Sequence, residues 1–172
     1  LASVSINGHW KNQETLWGQA VRKGTRAQGH VNYGLAIKAK QPERALEHFA
    51  IALEEGENIF ARINRGVTLF SMGRNAEALE SMRKATEVAP MRGLTWYWLS
   101  RGHMMDKDPG SAHAPALKAV EVEPNNARFF AHLIRVELRL GNEAQARERL
   151  AASGLTSPEL AAMRRELGLT GG

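Results

Sequence analysis

A 34-residue period in the placement of small residues and prolines constrains the fold of this chain more than any other feature. The columns are Ala78, Ala112 and Ala146, then Ala85 and Ala119, and Pro90 and Pro124. Large apolar residues keep the same spacing, as Trp96 does with Phe130 and Leu99 with Leu133. Several columns that coincide at one period are typical of stacked repeats, in which each unit buries its apolar face against the next.

Each copy is predicted to be a helix, a turn and a second helix. Apolar residues recur at intervals of three and four, as in Ala45, Phe49 and Ala52, which places them on one helical face. An earlier and slightly shortened copy begins at Tyr33-Gly34. The midway helix breakers are Gln41-Pro42, Gly73-Arg74-Asn75, Asp108-Pro109-Gly110 and Gly141-Asn142.

Small residues at two fixed positions of the copies have a packing explanation. A larger side chain at a point where two helices cross would push the helix axes apart. The predicted crossing positions are Gly34, Gly66 and Ser100 in the first helices, and Ala45, Ala78, Ala112 and Ala146 in the second helices.

Both ends of the chain are predicted to be partial units. One helix is expected over residues 12–23, and a final helix is expected to begin at Ser157-Pro158 and to end at Gly168. The apolar side of the final helix, with Leu160, Met163 and Leu167, would cover the end of the stack, whereas Arg164, Arg165 and Glu166 are expected to face water. Residues 1–172 are interpreted as a single domain: a partial unit over 1–26, about four repeats over 27–153 and a capping helix over 156–168.

The period and its residues resemble the tetratricopeptide repeat. The patterns Gly66…Gly73…Ala78…Ala85…Pro90 and Trp96…Leu99-Ser100…Ala112…Ala119…Pro124 carry the resemblance, which covers residues 27–153. Arg62 and Arg65 depart from the pattern, because an aromatic residue and a leucine are usual there. The resemblance implies an all-α fold, a right-handed superhelical solenoid of antiparallel helix pairs, whose first helices line a concave groove. It also implies a non-enzymatic protein–protein interaction scaffold.

A second resemblance lies upstream. Its residues are similar to the junction between the last membrane helix and the C-terminal repeats of membrane-embedded O-mannosyltransferase-like proteins. This resemblance implies an extracytoplasmic accessory repeat domain of a membrane glycosyltransferase whose catalytic part lies outside this chain. The alternative interpretation is that Trp10 and Trp17 seal the first helix pair. The residues concerned are Asn7-Gly8-His9-Trp10, Glu14, Leu16-Trp17, Ala20-Val21 and His30-Val31-Asn32-Tyr33-Gly34.

Composition argues against several classes of function. The chain has no cysteine, which excludes disulfides, thiol nucleophiles and cysteine-ligated metals. The net charge of +5 is spread along the chain, so nucleic acid is not an expected partner. No apolar run is long enough to span a bilayer, so membrane contact is expected only through sequence outside this chain. The compartment stays open between the cytoplasm and the extracytoplasmic side of a membrane.

No catalytic, cofactor or metal site is predicted. The sequence lacks the phosphate-binding loop, the nucleophile elbow, the zinc-protease helix motif and the EF-hand loop. The six histidines never pair at i and i+4, which argues against a metal site. Asp106 and Asp108 lie two residues apart in a predicted turn, where helix capping is favoured over acid–base catalysis.

The groove that the resemblance implies contains two groups of uncharged candidate ligand-binding residues. Asn32 and Asn64 stand in one column. Asparagine amides there would hydrogen-bond the backbone of an extended peptide, or asparagine is simply frequent in this column. The apolar group is expected to anchor hydrophobic side chains of a ligand. Its members are Phe60, Ile63, Val67, Phe70, Tyr97, Trp98 and Met104.

The third group is cationic. Arg128, His132, Arg135 and Arg139 recur at i, i+4, i+7 and i+11, which places them on one stripe of a helix, with Arg101 in the preceding copy. Guanidinium groups bind carboxylates and phosphates through paired hydrogen bonds, although a solvated helix face is the competing interpretation. The predicted partner is a protein or peptide with apolar anchors and an acidic or C-terminal carboxylate end over the fourth repeat. Self-association through the groove stays open.

Overall fold

The computed structural model describes residues 13–169, and all the regular secondary structure of that range is helical. Residues 13–22 form α1. None of the helices in the described range is long and apolar enough to cross a membrane. The helices that follow are α2 (Ala27–Ile37), α3 (Pro42–Glu54), α4 (Ile59–Ser71), α5 (Asn75–Val88), α6 (Gly93–Met105), α7 (Pro109–Val122), α8 (Ala127–Arg139), α9 (Glu143–Ala152) and α10 (Pro158–Glu166). The chain divides into two compact units, Leu1–Val88 and Ala89–Gly172.

Helices begin where the sequence supplies a cap or a proline. Pro42, Pro109 and Pro158 each stand in the first turn of a helix, where a missing backbone N–H costs nothing. The Asp108 carboxylate accepts a hydrogen bond from the Ser111 N–H at 3.0 Å, and hydrogen bonds from Ser111 hold the pKa of that carboxyl below its usual value. The capping role predicted for Asp108 is therefore confirmed. Ser157 caps α10 in the same way, through the Leu160 N–H.

The residue that ends the first helix of a repeat adopts a left-handed backbone in three successive copies. Gly73, Lys107 and Gly141 lie 34 residues apart and have φ values of +74°, +61° and +77°. This conformation suits glycine and strains lysine, because a Cβ atom crowds the following carbonyl oxygen. Lys107 is the one residue other than glycine in the described range with positive φ. The repeat geometry thus dictates the backbone at this column whichever residue occupies it.

In the first unit, α2 packs against α3 and α4 against α5. The glycines mark close crossings: a Cβ atom at Gly34 would lie 2.6 Å from the Phe49 ring. At Gly66 it would lie 3.0 Å from the Met82 side chain. The prediction that these glycines are helix crossings is confirmed. Trp17 of α1 packs against the core around Phe49, whereas Trp10 lies outside the described residues.

In the second unit, α6 packs against α7, and α8 packs against α7 and α9. The terminal helix α10 closes the core of α8 and α9, where Leu160 is fully buried and Met163 nearly so. Helix α10 lies within residues 156–168, and the division of the chain into a single domain with a capping helix there stays a prediction. The core that α10 covers contains Phe130, Ala131, Ile134, Ala146 and Leu150.

The sequence predicted that Arg164 of α10 would face water, and the structure shows that it does not. Nη2 of Arg164 lies 3.2, 3.0 and 3.0 Å from the carbonyl oxygens of Leu150, Ser153 and Leu155, which share its two hydrogens. The last carbonyls of a helix lack intrahelical donors, so α9 and the loop after it offer acceptors that α10 can reach. Arg164 therefore holds the α9–α10 loop against the terminal helix.

Candidate ligand-binding face

Helices α6 and α8 contact each other in the second unit and bring two of the predicted basic residues, Arg101 and Arg128, together. The guanidinium carbons of Arg101 and Arg128 lie 5.7 and 4.7 Å from the centre of the same ring, that of Tyr97. Arg135 and Arg139 follow Arg128 along the outer side of α8. We refer to Arg101, Arg128, Arg135 and Arg139 as the cationic face.

Aromatic rings hold two arginines of the cationic face. The Arg101 guanidinium carbon lies 4.5 Å from the centre of the Trp98 ring. Arg128 donates through Nε to the Tyr97 hydroxyl at 3.1 Å while its guanidinium lies over the Tyr97 ring. Neither arginine forms an ion pair with any residue of the described range. Stacking fixes a guanidinium in place and leaves N–H groups at its edge free to donate.

The other two arginines of the cationic face differ in their surroundings. Arg135 forms an ion pair with Glu159, in the first turn of α10, and the two side chains are 47% and 43% exposed. Arg139 is exposed, and its side chain has no hydrogen-bond or ion-pair partner within residues 13–169. The sequence analysis did not include the partner that α10 supplies to Arg135.

His132 does not lie on the exposed stripe with the arginines, because it is only 4% exposed. Its Nε2 lies 2.8 Å from Ser100 Oγ, and the Ser100 hydroxyl lies 2.7 Å from the Ala112 carbonyl oxygen. A hydroxyl has one hydrogen and a carbonyl oxygen only accepts, so Ser100 donates to Ala112 and His132 donates from Nε2. The small residue predicted at the Ser100 crossing leaves the space into which this ring fits.

Burial controls the ionisation of His132. Removal from water, with smaller contributions from the charges of Arg135, Arg101 and Arg128, lowers the pKa of the imidazole to about 4. The neutral ring packs edge-on against Tyr97, with ring centres 5.1 Å apart. His132 therefore supports the cationic face from beneath as an uncharged side chain.

The Ser100–His132 pair superficially resembles a nucleophile and its general base. A base must accept the serine proton, whereas here that proton goes to the Ala112 carbonyl and the imidazole is the donor. Ser100 is also fully buried. In this arrangement the hydrogen bond joins helices and does not activate the hydroxyl.

The predicted apolar group divides into buried and accessible members. Ile63, Phe70 and Tyr97 are 4%, 8% and 6% exposed, so they lie in the interior and not on a groove surface as predicted. For Ile63 and Phe70 the reason is that α4 packs against α2, α3 and α5, which leaves little of its surface free. The accessible members are Phe60 and Val67 in the first unit, and Trp98 and Met104 in the second.

Asn32 and Asn64 lie in the first unit, partly exposed, with internal hydrogen bonds. Asn64 accepts from Lys38 Nζ at 3.2 Å and donates to the Phe60 carbonyl oxygen at 2.8 Å, and Asn32 accepts from Gln28 at 3.1 Å. Burial lowers the pKa of Lys38. Each amide retains further hydrogen-bonding capacity, since it has two hydrogens and two lone pairs. The peptide-binding role of the two asparagines stays a prediction.

Two polar clusters had no local sequence signal. Glu137 of α8 is fully buried, accepts from Arg149 at 2.8 Å and has one carboxylate oxygen without a partner among the described residues. In the first unit, His30 and His48 approach through their Nδ1 atoms at 2.9 Å. No group of three metal-ligating side chains occurs among residues 13–169.

Known structures resemble this chain, although no family model and no curated protein matches its sequence. PilF of Pseudomonas aeruginosa matches with a TM-score of 0.73 and 17% identity over 98% of this chain and 79% of that one. PilW, a widely conserved type IV pilus biogenesis factor, matches with a TM-score of 0.72 and 19% identity over 90% and 80%. MamA from Desulfovibrio magneticus RS-1 matches with a TM-score of 0.63 and 16% identity over 91% of this chain and 96% of that one.

PilF, PilW and MamA are all tetratricopeptide-repeat proteins. Identities this low show a common fold and leave function open. The helix pairs, the 34-residue period and these matches agree with one another. This chain has the tetratricopeptide-repeat fold.

Proposed function

We propose that this chain is a protein-interaction module, and that the surface of α6 and α8 binds a partner segment whose acidic end contacts the cationic face. The observation that carries the proposal is the pair Arg101 and Arg128. Both guanidinium groups rest on aromatic rings, and neither has a carboxylate partner in the described range.

The stacked arginines favour a carboxylate ligand for an energetic reason. A long, mobile side chain loses rotamer entropy when a ligand immobilises it, at a cost of about 0.5–1.5 kcal/mol. Trp98 and Tyr97 already restrict Arg101 and Arg128, so this cost is reduced. A carboxylate then accepts charge-assisted hydrogen bonds from a guanidinium group that is already oriented.

An apolar surface lies on the same helix as Arg101. Trp98 and Met104 are partly exposed, and Met105 is 45% exposed. Methionine adapts its shape to different apolar partners, and tryptophan supplies a large rigid contact area. A segment with an apolar side chain followed by acidic residues would satisfy both parts of this surface.

The other sequence-based proposals stay separate from this one. The accessory-domain interpretation rests partly on residues 7–10, which lie outside the described residues. Self-association remains a prediction, and its measurement is the molar mass of the chain in solution at increasing concentration.

Binding of a labelled peptide would test the proposed function. The probe has two leucines followed by five glutamates, and fluorescence anisotropy at low salt gives its Kd. Because a hydrogen bond to a charged group is worth about 1.5–3 kcal/mol, Arg101→Gln and Arg128→Gln should each weaken binding by about 10-fold or more. Arg147→Gln is the matched control, since Arg147 pairs with Glu143 within α9.

Two results would refute the proposed function. One is a probe affinity that neither Arg101→Gln nor Arg128→Gln changes. The other is an equal loss for Arg147→Gln, which would mean that the probe responds to net charge and not to this surface. Rising salt should weaken binding in wild-type protein, because exposed charges are screened within about 10 Å at 0.1 M.

A further inference from the structure

We propose that Glu159, at the start of α10, is an internal competitor for acidic ligands of the cationic face. The proposal rests on the proposed function and adds regulation of the same surface. In the free protein Glu159 accepts from Nη2 of Arg135, so a ligand carboxylate that takes this N–H group must displace the chain's own carboxylate.

Arg135 lies farther along α8 than Arg128. It follows Arg128 by seven residues, which corresponds to roughly 10 Å along a helix. An extended peptide covers that distance in about three residues. A ligand with a single acidic residue can therefore engage Arg101 and Arg128 without meeting Glu159, whereas a run of acidic residues extends to Arg135. Only the longer class of ligand competes with Glu159.

The Arg135–Glu159 contact can open while α10 stays in place. Both side chains are about half exposed, so water replaces the lost partner readily. Glu159 lies in the first turn of α10, where the helix dipole stabilises a carboxylate without Arg135. The buried Leu160 and Met163, with Arg164, hold the helix against α9 independently of Glu159. Displacement therefore requires a side-chain rotation and not the release of the helix.

The expected effect is modest because the competing pair is exposed. Ion pairs of this kind shift an equilibrium by roughly 1.5- to 5-fold. Glu159→Gln should therefore strengthen binding of the probe with five glutamates by about 1.5- to 5-fold. It should leave unchanged the affinity of a second probe with two leucines and one glutamate.

Matched variants separate competition from a general effect of charge. Glu143→Gln removes the same charge from a pair on α9 and should leave both probes unaffected. In the background of Arg135→Gln, adding Glu159→Gln should not strengthen binding of the probe with five glutamates. Thermal unfolding monitored by circular dichroism checks that each variant keeps its helices.

The inference is overturned if Glu159→Gln binds the long probe no better than wild type, or if both probes gain equally. It is also overturned if Glu143→Gln produces the same gain. Failure of the proposed function is a separate result, since Arg101→Gln and Arg128→Gln would then leave both probes unchanged. Unaltered binding by Glu159→Gln, together with weakened binding by Arg128→Gln, would refute the competitor role of Glu159 and still support the proposed binding surface.

Discussion

Acidification should destabilise the second unit through His132. The buried imidazole has a pKa of about 4 in the folded protein, mainly because burial disfavours its charged form. In the unfolded chain the group regains an ordinary pKa of about 6.5. The unfolded chain then binds more protons between these values, so the stabilisation is complete above pH 6.5 and is lost as the pH falls towards 4.

The magnitude follows from the two pKa values. One proton bound preferentially by the unfolded chain lowers the free energy of unfolding by about 1.4 kcal/mol per pH unit. Between pH 7 and pH 4.5 the loss through His132 amounts to roughly 2 to 3 kcal/mol. A domain of this kind has a total stability of about 5–15 kcal/mol, so the effect is readily measurable.

The assay compares wild type with His132→Gln. The glutamine amide can donate to Ser100 Oγ as the imidazole does, but it does not titrate. Urea unfolding at pH 7, 5.5 and 4.5, followed by tryptophan fluorescence, gives the free energy of unfolding of each protein. Because both proteins share every other titrating group, the difference between their pH profiles isolates position 132.

Two outcomes would refute this reasoning. One is an equal loss of stability in wild type and His132→Gln between pH 7 and pH 4.5. The other is an NMR titration in which the His132 ring protonates near pH 6.5 in the folded protein. Either result would mean that water reaches the imidazole, and that the Nε2–H donation to Ser100 does not persist in solution.

Further substitutions test the backbone conformation at Lys107, the helix crossing at Gly34 and the buried ion pair of Glu137. Lys107→Gly should raise the free energy of unfolding by about 0.5–1 kcal/mol in thermal melts, because glycine adopts the left-handed backbone at this position without strain. Lys107→Ala keeps a Cβ atom there and should give no such gain. Gly34→Ala should lower stability by about 1–3 kcal/mol, since the new methyl group meets the buried Phe49 ring, and unchanged melting would contradict that crossing. Arg149→Met should cost about 3 kcal/mol because the buried Glu137 then keeps only His113, whose Nε2 lies 3.5 Å from the same carboxylate oxygen. Glu137→Leu in that background should recover part of the loss.

The sequence predicted the helices well because the information there is local and repeated. Helix breakers and caps act within a few residues, so Pro42, Asp108 and Ser157 mark helix starts without knowledge of the tertiary structure. The column of small residues predicted the crossings, since only packing explains why Gly34 and Gly66 recur at one position. Repetition turned each of these local signals into several independent observations.

The binding surface was harder to predict because it depends on pairs of residues far apart in sequence. Arg135 and Glu159 are 24 residues apart, and their contact depends on how α10 packs against α8. The spacing of residues along α8 placed His132 on the same stripe as the arginines. Neighbouring helices pack against α8, however, and a residue near the edge of such a stripe can be buried by them, as His132 is. A usable signal was present, since Ser100 is a polar residue in a column of glycines and needs a hydrogen-bonding neighbour.

The hydrogen bond between Ser100 and His132 also bears on how the array can evolve. It joins the first helices of two consecutive repeats, and each side chain is buried. Copies of a uniform repeat can be duplicated or reordered freely, but this boundary requires a donor on one copy and an acceptor on the other. Duplicating the copy that contains His132 would leave a second buried imidazole without its acceptor, at a cost of about 1–3 kcal/mol, whereas Ser100 keeps its hydrogen bond to the Ala112 carbonyl. The order of these two repeats is therefore specified chemically, in an architecture that otherwise permits exchange.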